Sequence, residues 1–466
     1  MSLFAVINNA GSALMAQGRA IQTTANNVSN AETPGYARQR AELTPMGTLR
    51  RQGVLTGQGV RASQVTAAYD RFAQGQVNER FGEDGFARGM AADMRAIEVA
   101  VGEGEVGGMG AALSAFFDSL SALEADPSSP ALRLDVLSRA ESFTVSMNRA
   151  VQSVERQQAD ANERITDLAS RVSVLGEEIA AINRDLVELE AGGQLAHDLR
   201  AQRTVRLEEL ATLGPTRAET GPGGSLTVVF GGQTLVEKAT SRQVFGQADP
   251  VTGDIQVRMS FGTTDFDITG ALGGSGELGA ALQIRDQVAP EIIDELDNLA
   301  FEVANQFNAI HSAGFGLDGV TGRNFFSPPA GVAGAASALN LDAAVAGNPD
   351  AIQGASTAGS VPGGNGNLIA LGNLSTAQTM SGGTRSFSSF LGQTLSQVGS
   401  DAAAAYADET LAAAGLSAAQ DLRDAVSGVS LEEEAVDLMR FQDAYQAAAR
   451  VMATANELFD DLLSIL

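Results

Sequence analysis

The most regular hydrophobic pattern lies in the second quarter of the chain. Across residues 136–189, apolar positions recur at alternating steps of three and four, and Gln158 is the one polar exception. This spacing is the heptad pattern of a long helix that packs along one side. Pro130 suits a first helical turn, and two glycines end the pattern. The sequence therefore predicts one helix over about 130–191, roughly 90 Å long at 1.5 Å per residue.

The patterning after this helix changes from helical to β. Helical spacing continues over 195–213, and a stretch rich in glycine and proline follows. β-Branched and aromatic residues at 225–230 and 234–239 flank a Gly-Gly turn, which is typical of a β-hairpin. Helical spacing returns after Pro290. Residues 315–399 are rich in glycine, alanine, serine and asparagine, and they predict a loop-rich region.

Both ends of the chain carry a narrow apolar stripe with steps of seven residues. The N-terminal stripe consists of Leu3, Ile7, Leu14, Ile21 and Val28. The C-terminal stripe consists of Leu431, Leu438, Phe441, Tyr445, Met452, Phe459 and Leu462. A narrow stripe on a single helix needs a partner helix to bury it. We therefore expect the two terminal helices to pack together as a coiled-coil-like pair.

These patterns predict a mainly α fold with a β insertion. Its parts are the pair of terminal helices, a helical domain that contains the long heptad helix, and a small β-rich domain. The predicted division is a terminal helical domain of 1–36 and 428–466, a helical domain of 37–213, 287–314 and 400–427, a β-rich insertion of 214–286, and a loop-rich mixed region of 315–399.

Composition narrows the range of functions. The 466 residues include 56 acidic and 30 basic ones, so the formal net charge is −26 at pH 7. A field of that sign repels phosphate backbones and anionic lipids, which argues against nucleic acid or a membrane surface as a partner. No apolar run is long enough to predict a membrane-inserted helix, and the N-terminus lacks the pattern of a cleaved signal peptide.

Candidate chemistry is sparse. The chain has no cysteine and two histidines, His197 and His311, and both are expected at helix ends rather than in a metal site. The acidic run 432–434 follows Ser430 and suits the first turn of a helix through the helix dipole. The sequence predicts no catalytic, cofactor-binding or metal-binding residue and no cofactor, so we expect a protein that is not an enzyme.

Polar residues at the end of the first helix form a distinctive string over 25–39. Amide side chains there can bond the last turn of a helix, and a Thr-Pro-Gly sequence forces a turn, after which a tyrosine can anchor an extended segment. The string contains Asn26, Asn27, Asn30, Thr33, Pro34, Gly35 and Tyr36. It resembles the N-terminal signature of the bacterial flagellar axial proteins, which form the rod and hook.

The C-terminal segment 428–450 resembles the matching C-terminal signature of the same superfamily. Interior segments at 196–203, 224–236 and 276–286 are similar to the flagellar hook-associated protein 1 family, and the long heptad helix separates this family from rod and hook proteins. By this resemblance, the chain is an extracellular structural subunit at the hook–filament junction, and its paired terminal helices line a tube.

The resemblance also implies a route and partners. The chain would leave the cell unfolded through the flagellar type III export system, without a cleaved signal peptide. Its expected partners are further copies of itself in a ring or tube, the hook protein, the other junction hook-associated protein, and an export chaperone at the C-terminal helix. The alternatives are another axial subunit of the hook or distal rod and, as a different class, an exported wall-degrading hydrolase.

Overall fold

The computed structural model describes residues 3–51, 54–102, 108–192, 195–221 and 224–465. The fold is mainly α-helical, with a small β-rich region. The helices are α1 (Leu3–Ser29), α2 (Arg71–Val101), α3 (Met109–Ala125), α4 (Pro130–Glu190), α5 (His197–Leu213), α6 (Gly276–Gln283), α7 (Ala289–His311), α8 (Ala335–Ala338), α9 (Gly366–Gly372), α10 (Phe387–Ser427) and α11 (Leu431–Ile465). A π-helical turn, Ile284–Val288, connects α6 to α7.

A two-stranded ribbon follows α1. Its base pairs β1 (Gln39–Pro45) with β4 (Val60–Ala67), and its outer part pairs β2 (Thr48–Arg51) with β3 (Val54–Gly57), both antiparallel. These strands lie within the predicted helical domain of 37–213, for which the hydrophobic pattern predicts no strand. A lone hairpin is marginally stable, and this one is supported by α1, a tertiary contact that hydrophobic periodicity does not reveal.

The predicted long helix is α4. Ser129 caps its first turn by accepting a hydrogen bond from the Leu132 amide at 3.5 Å, and the predicted proline occupies the first helical position. Its buried face runs through two hydrophobic cores. The first half packs with α2, α3 and α7, in a core to which α10 also contributes. The second half packs with α5, α6 and strands of the β-rich region described below. The heptad face therefore belongs to the interior of the chain.

The β-rich region forms two antiparallel sheets against the second half of α4. One sheet has the order β5 (Thr216–Thr220), β6 (Leu226–Phe230), β7 (Gln233–Glu237) and β8 (Thr240–Ser241). The other has the order β11 (Thr264–Asp267), β10 (Ile255–Phe261) and β9 (Val244–Ala248). The predicted hairpin corresponds to β6 and β7.

The loop-rich stretch after α7 is held by buried side chains rather than by long elements. Asn308 accepts hydrogen bonds from the Phe325 and Phe326 amides at 2.8 and 2.9 Å. Arg133, which is 1% exposed, donates to the carbonyls of Pro127, Pro349 and Ile352. Helix α10 begins at Phe387, where Ser386 caps its first turn. This start lies inside the stretch predicted as loop-rich. The prediction was wrong there because glycines in the first turns of α10 obscure the apolar spacing.

Candidate assembly site at the paired termini

Helices α1 and α11 pack antiparallel along their lengths. The rings of Phe4 and Phe459 meet edge to face, with centroids 5.5 Å apart. A Cβ built at Gly11 would lie 3.3 Å from the terminal methyl of Met452, and one at Gly18 would lie 3.9 Å from the ring of Tyr445. Each step of seven residues along α1 therefore meets a step of seven back along α11.

The C-terminal stripe supplies the large side chains of this contact. Met452 and Phe459 are half-buried against α1, and Tyr445 lies over Gly18 with part of its ring exposed. Leu438 and Phe441 are also half-buried, whereas Leu431 and Leu462 are exposed.

The N-terminal stripe lies beside the line of closest contact. Leu3, Ile7, Leu14 and Ile21 are half-buried, and Val28 is exposed. The α1 residues placed opposite Phe459, Met452 and Tyr445 are Phe4, Gly11 and Gly18. The two glycines do not appear in the predicted stripe, because that pattern consists of large apolar side chains. Their spacing of seven residues was the available signal.

The helix pair leaves apolar side chains uncovered. On α1, Phe4 is 63% exposed and Met15 is 75% exposed. The exposed apolar residues of α11 include Leu431, Val436, Met439, Val451, Leu458, Leu462 and Leu463. Several exposed large apolar side chains on one helix pair are typical of a surface that another molecule covers.

A second face of α1 packs against the ribbon. The side-chain amide of Asn9 donates to the Gly57 carbonyl at 3.2 Å. The backbone amide of Val60 donates to the Ser12 hydroxyl at 3.3 Å. A Cβ at Gly59 would lie 2.0 Å from the Ser12 oxygen, so only glycine fits this crossing. Helix α1 is therefore held between α11 and the ribbon.

The predicted signature residue Asn27 connects three segments. Its side chain is 1% exposed, and its amide nitrogen donates to the Gln39 carbonyl at 2.8 Å and to a carboxylate oxygen of Glu434 at 2.9 Å. Its side-chain oxygen accepts from the backbone amide of Gln39 at 2.9 Å and from the Tyr36 hydroxyl at 3.0 Å. These bonds join the end of α1, the start of the ribbon and the first turn of α11.

Glu434 is the charged centre of this network. It is 2% exposed, and the Arg38 guanidinium donates to it at 2.6 Å and also contacts Glu433. Burial lowers the pKa of Arg38, but Glu433 and Glu434 together raise it by more, so the net shift is upward. Burial, with Asp198 and Glu434 nearby, raises the pKa of Tyr36 to about 12. The acidic run predicted to serve the helix dipole therefore also binds a specific arginine.

The remaining signature residues shape the turn after α1. The Asn30 side chain donates to the Asn26 carbonyl at 3.0 Å, and the Thr33 amide donates to the Asn30 carbonyl at 3.0 Å. Gly35 has φ +73°, and a Cβ there would lie 2.8 Å from Val205 of α5. The turn thus packs directly on α5. Asn26, Thr33 and Pro34 are exposed.

The two histidines lie in separate parts of the fold. His197 contacts the Val65 carbonyl at 2.9 Å. His311 is fully buried, donates from Nδ1 to the Arg323 carbonyl at 2.8 Å and accepts at Nε2 from the Gln353 amide at 3.0 Å. Burial lowers the pKa of His311 to about 4, so it is neutral at pH 7.

Two kinds of feature are absent from the described residues. No cluster of three or more histidine or carboxylate side chains is arranged to hold a metal ion in the ranges given above. Across those same ranges, every helix is too short or too polar to cross a bilayer.

A family model described as "Flagellar hook-associated protein FlgK helical domain" matches residues 94–326, which is half of the chain. The chain belongs to the FlgK family. Two further models match its ends: "Flagella basal body rod protein" over residues 7–36 and "Flagellar basal body rod FlgEFG protein C-terminal" over residues 424–465. These two matches coincide with α1, its exit turn and α11, the parts that form the paired termini.

Curated relatives of the family carry the name flagellar hook-associated protein 1. The protein of Bacillus subtilis strain 168 is 25% identical over 499 residues, covering 99% of this chain and 98% of the relative. That of Escherichia coli K12 is 25% identical over 546 residues, covering 99% of each. That of Salmonella typhimurium is 27% identical over 328 residues, covering 69% of this chain and 59% of the relative.

A solved structure has the same fold. It is the flagellar hook junction protein FlgK from Burkholderia pseudomallei, with a TM-score of 0.66 and 15% sequence identity. The match covers 76% of this chain and all of that one. As a FlgK family member, the chain is a structural subunit of the bacterial flagellum and associates with its axial components.

Proposed function

We propose that this chain joins the flagellar hook to the filament, as copies assembled in a ring or tube at the junction. The observation that carries the proposal is the α1–α11 pair, which leaves Phe4, Met15, Val451 and Leu458 exposed on a unit that also carries both axial-protein matches. The names of the relatives, hook-associated protein and hook junction protein, support this location.

Assembly proceeds through the paired termini. Each helix pair uses the residues of both terminal stripes to form the innermost layer of the tube, and the pair of a neighbouring copy covers the apolar side chains that remain exposed. Burying a large apolar side chain contributes about 1.5–3 kcal/mol, so the exposed apolar residues of each pair favour association with a neighbour. The hook protein contacts one end of the ring, and the other junction hook-associated protein contacts the opposite end.

The chain reaches this location unfolded, through the flagellar type III export system and without a cleaved signal peptide. The absence of cysteine supports this route, since no disulfide can form in transit. A chaperone holds the C-terminal helix in the cytosol. The exposed apolar residues of α11 support this role, because they would associate non-specifically if left uncovered.

Each predicted domain has a different role in the assembly. The terminal helical domain of 1–36 and 428–466 polymerises, whereas the helical domain and the β-rich insertion of 214–286 form the outer body. Two separate hydrophobic cores, both crossed by α4, support an outer body that is rigid along its length.

Deletion of the gene in a flagellated host tests this proposal. We expect hooks that end bare in electron micrographs and filament protein lost to the medium, and a plasmid copy of the gene should restore filaments. A strain that lacks hooks would indicate a hook or distal-rod subunit instead. Intact filaments would overturn the junction role, and lytic activity of the purified chain on cell wall would favour the hydrolase.

A further inference from the structure

A cleft with an acidic rim lies between α2, α7 and α10, outside the paired termini. Its volume is about 330 Å³. The apolar lining consists mainly of Phe86, Met90, Met94, Val288, Ile292 and Val398. The rim carboxylates are Glu291, Glu295, Asp401 and Asp408. The described residues that line this cleft include no lysine or arginine.

The rim carboxylates have no cationic partner in the part of the chain that the structure describes. Among the described residues, none of the four makes a salt bridge. The Thr394 hydroxyl donates to Glu295, and the Gln397 amide donates to Asp401 at 2.8 Å. An apolar floor under carboxylates that lack a cationic partner favours a cationic, partly apolar occupant.

The ribbon of 39–67 has the complementary charge. It carries four arginines and one carboxylate, in a chain with a net charge of −26. Arg40 and Arg61 share one face of the ribbon, because Arg61 pairs with Thr44 and the extra residue of the bulge beside Glu42 is Ser63 on β4, so β1 keeps its alternation. Glu42 lies on the same face and accepts a hydrogen bond from the Gln64 side chain at 3.0 Å. Both arginines are exposed, and neither forms a salt bridge with another described residue.

We propose that the ribbon of one copy docks in the acid-rimmed cleft of a second copy. Arg40 and Arg61 meet the rim carboxylates, and the aliphatic parts of these two side chains pack on the apolar floor. The contact rests on the proposed function, since it requires neighbouring copies in an assembly. Copies with a net charge of −26 repel one another, so a local contact of opposite charge selects which surfaces meet.

Cysteine cross-linking tests this contact without background, because the chain has no cysteine of its own. A tagged chain with Arg61→Cys and an untagged chain with Asp408→Cys are co-expressed, and sheared flagella are treated with a short bifunctional maleimide. We expect a band of mixed mass, which only two different copies can form. Val251→Cys, at an exposed turn of the β-rich region, replaces Arg61→Cys as the control and should give none.

A charge exchange provides an independent readout. Asp401→Arg with Asp408→Arg should reduce junction protein in isolated flagella on the order of tenfold, since like charges would then face each other. Adding Arg40→Glu and Arg61→Glu should restore it. The matched control is Asp265→Arg with Asp267→Arg on the exposed strand β11, which changes the net charge equally.

The outcomes separate this contact from the proposed function. A second co-expressed pair, Phe4→Cys and Leu458→Cys, reports on contact between terminal helices. If that pair cross-links and the ribbon–cleft pair does not, the docking proposal is wrong and polymerisation stands. If flagella that lack the chain still carry intact filaments, the proposed function itself is wrong. A ribbon–cleft band without rescue by the charge exchange would reject the ionic basis of the contact.

Discussion

The buried carboxylate of Glu434 lies 2.9 Å from the amide nitrogen of Asn27, although 407 positions separate them in the sequence. This contact closes the chain on itself between the end of α1 and the first turn of α11. Arg38 neutralises the same carboxylate. One small polar network therefore joins the end of α1 to the first turn of α11.

Replacement of Asn27 with alanine should loosen the terminal pair. The substitution removes four hydrogen bonds and leaves buried groups of Glu434 and Gln39 unpaired, at a cost of about 2–4 kcal/mol. Hydrogen exchange should accelerate in α1 and α11 while α4 keeps its protection. Asn26→Ala, at an exposed neighbour, is the control, and equal exchange in both variants would contradict the network's role.

Gly11→Leu should separate α1 from α11. The new side chain would meet the Met452 methyl, which lies 3.3 Å from the position of its Cβ. We expect a loss of about 1–3 kcal/mol from overpacking, read as earlier thermal exposure of the terminal helices. Met452→Ala should relieve the clash in the double variant. Gly392→Leu, at an open position of α10, should have no such partner, and absence of rescue would argue against the register.

A charge in the terminal contact should block assembly without unfolding the outer body. Met452→Glu or Leu438→Glu places a carboxylate among half-buried apolar groups, which costs several kcal/mol where water is excluded. Cells with either variant should secrete the protein but swim poorly, and the purified chain should keep its helical circular dichroism. Thr454→Glu, at an exposed polar position of α11, should swim normally. Normal motility of the first two variants would remove the case for this contact.

Acid should destabilise the outer body through His311. Its pKa is lowered from 6.5 to about 4 in the folded state, so the unfolded chain binds a proton first as pH falls. The neutral histidine therefore stabilises the fold above pH 6.5, and this stability is lost progressively down to pH 4. Between pH 7 and pH 5 we expect its contribution to fall by about 2 kcal/mol. Urea unfolding of wild type and His311→Gln at both pH values measures it, and identical pH dependence would contradict the assignment.

Arg133→Leu should destabilise the loop-rich region after α7. Three carbonyls, of Pro127, Pro349 and Ile352, lose their donor in a buried site, and we expect a cost of about 3–5 kcal/mol. Denaturant unfolding gives the difference directly. The same change at exposed Arg139 should cost under about 1 kcal/mol, since its ion pair is at the surface. A similar loss at both positions would indicate that the carbonyl bonds contribute little.

The elements with strong local periodicity were predictable. Helix α4 carries its heptad pattern within its own residues, and the β6–β7 hairpin is marked by β-branched residues around paired glycines. The ribbon of 39–67 was not predictable in the same way, because its support comes from Asn9 and Ser12 on α1. A contact between segments distant in sequence leaves no periodic trace in either one.

The residues of the paired termini were also predictable only in part. Periodicity identified Met452 and Phe459 as large side chains on one helix, and the polar string after α1 identified Asn27 and Tyr36. Periodicity did not identify Gly11, because a residue without a side chain contributes nothing to a hydrophobic pattern. Close packing against Met452 nevertheless favours glycine at this position.

The sequence by itself determined the helical class, the amphipathic ends and the charge of −26, since each depends on residue type and local spacing. The tertiary structure alone decided which faces meet: α1 between α11 and the ribbon, and Glu434 against Arg38 and Asn27. It also placed four carboxylates around one cleft, with no ion pair to another described residue. The physical reason is that burial and pairing depend on residues brought together by the whole fold. Their free energies arise only when distant segments exclude water between them.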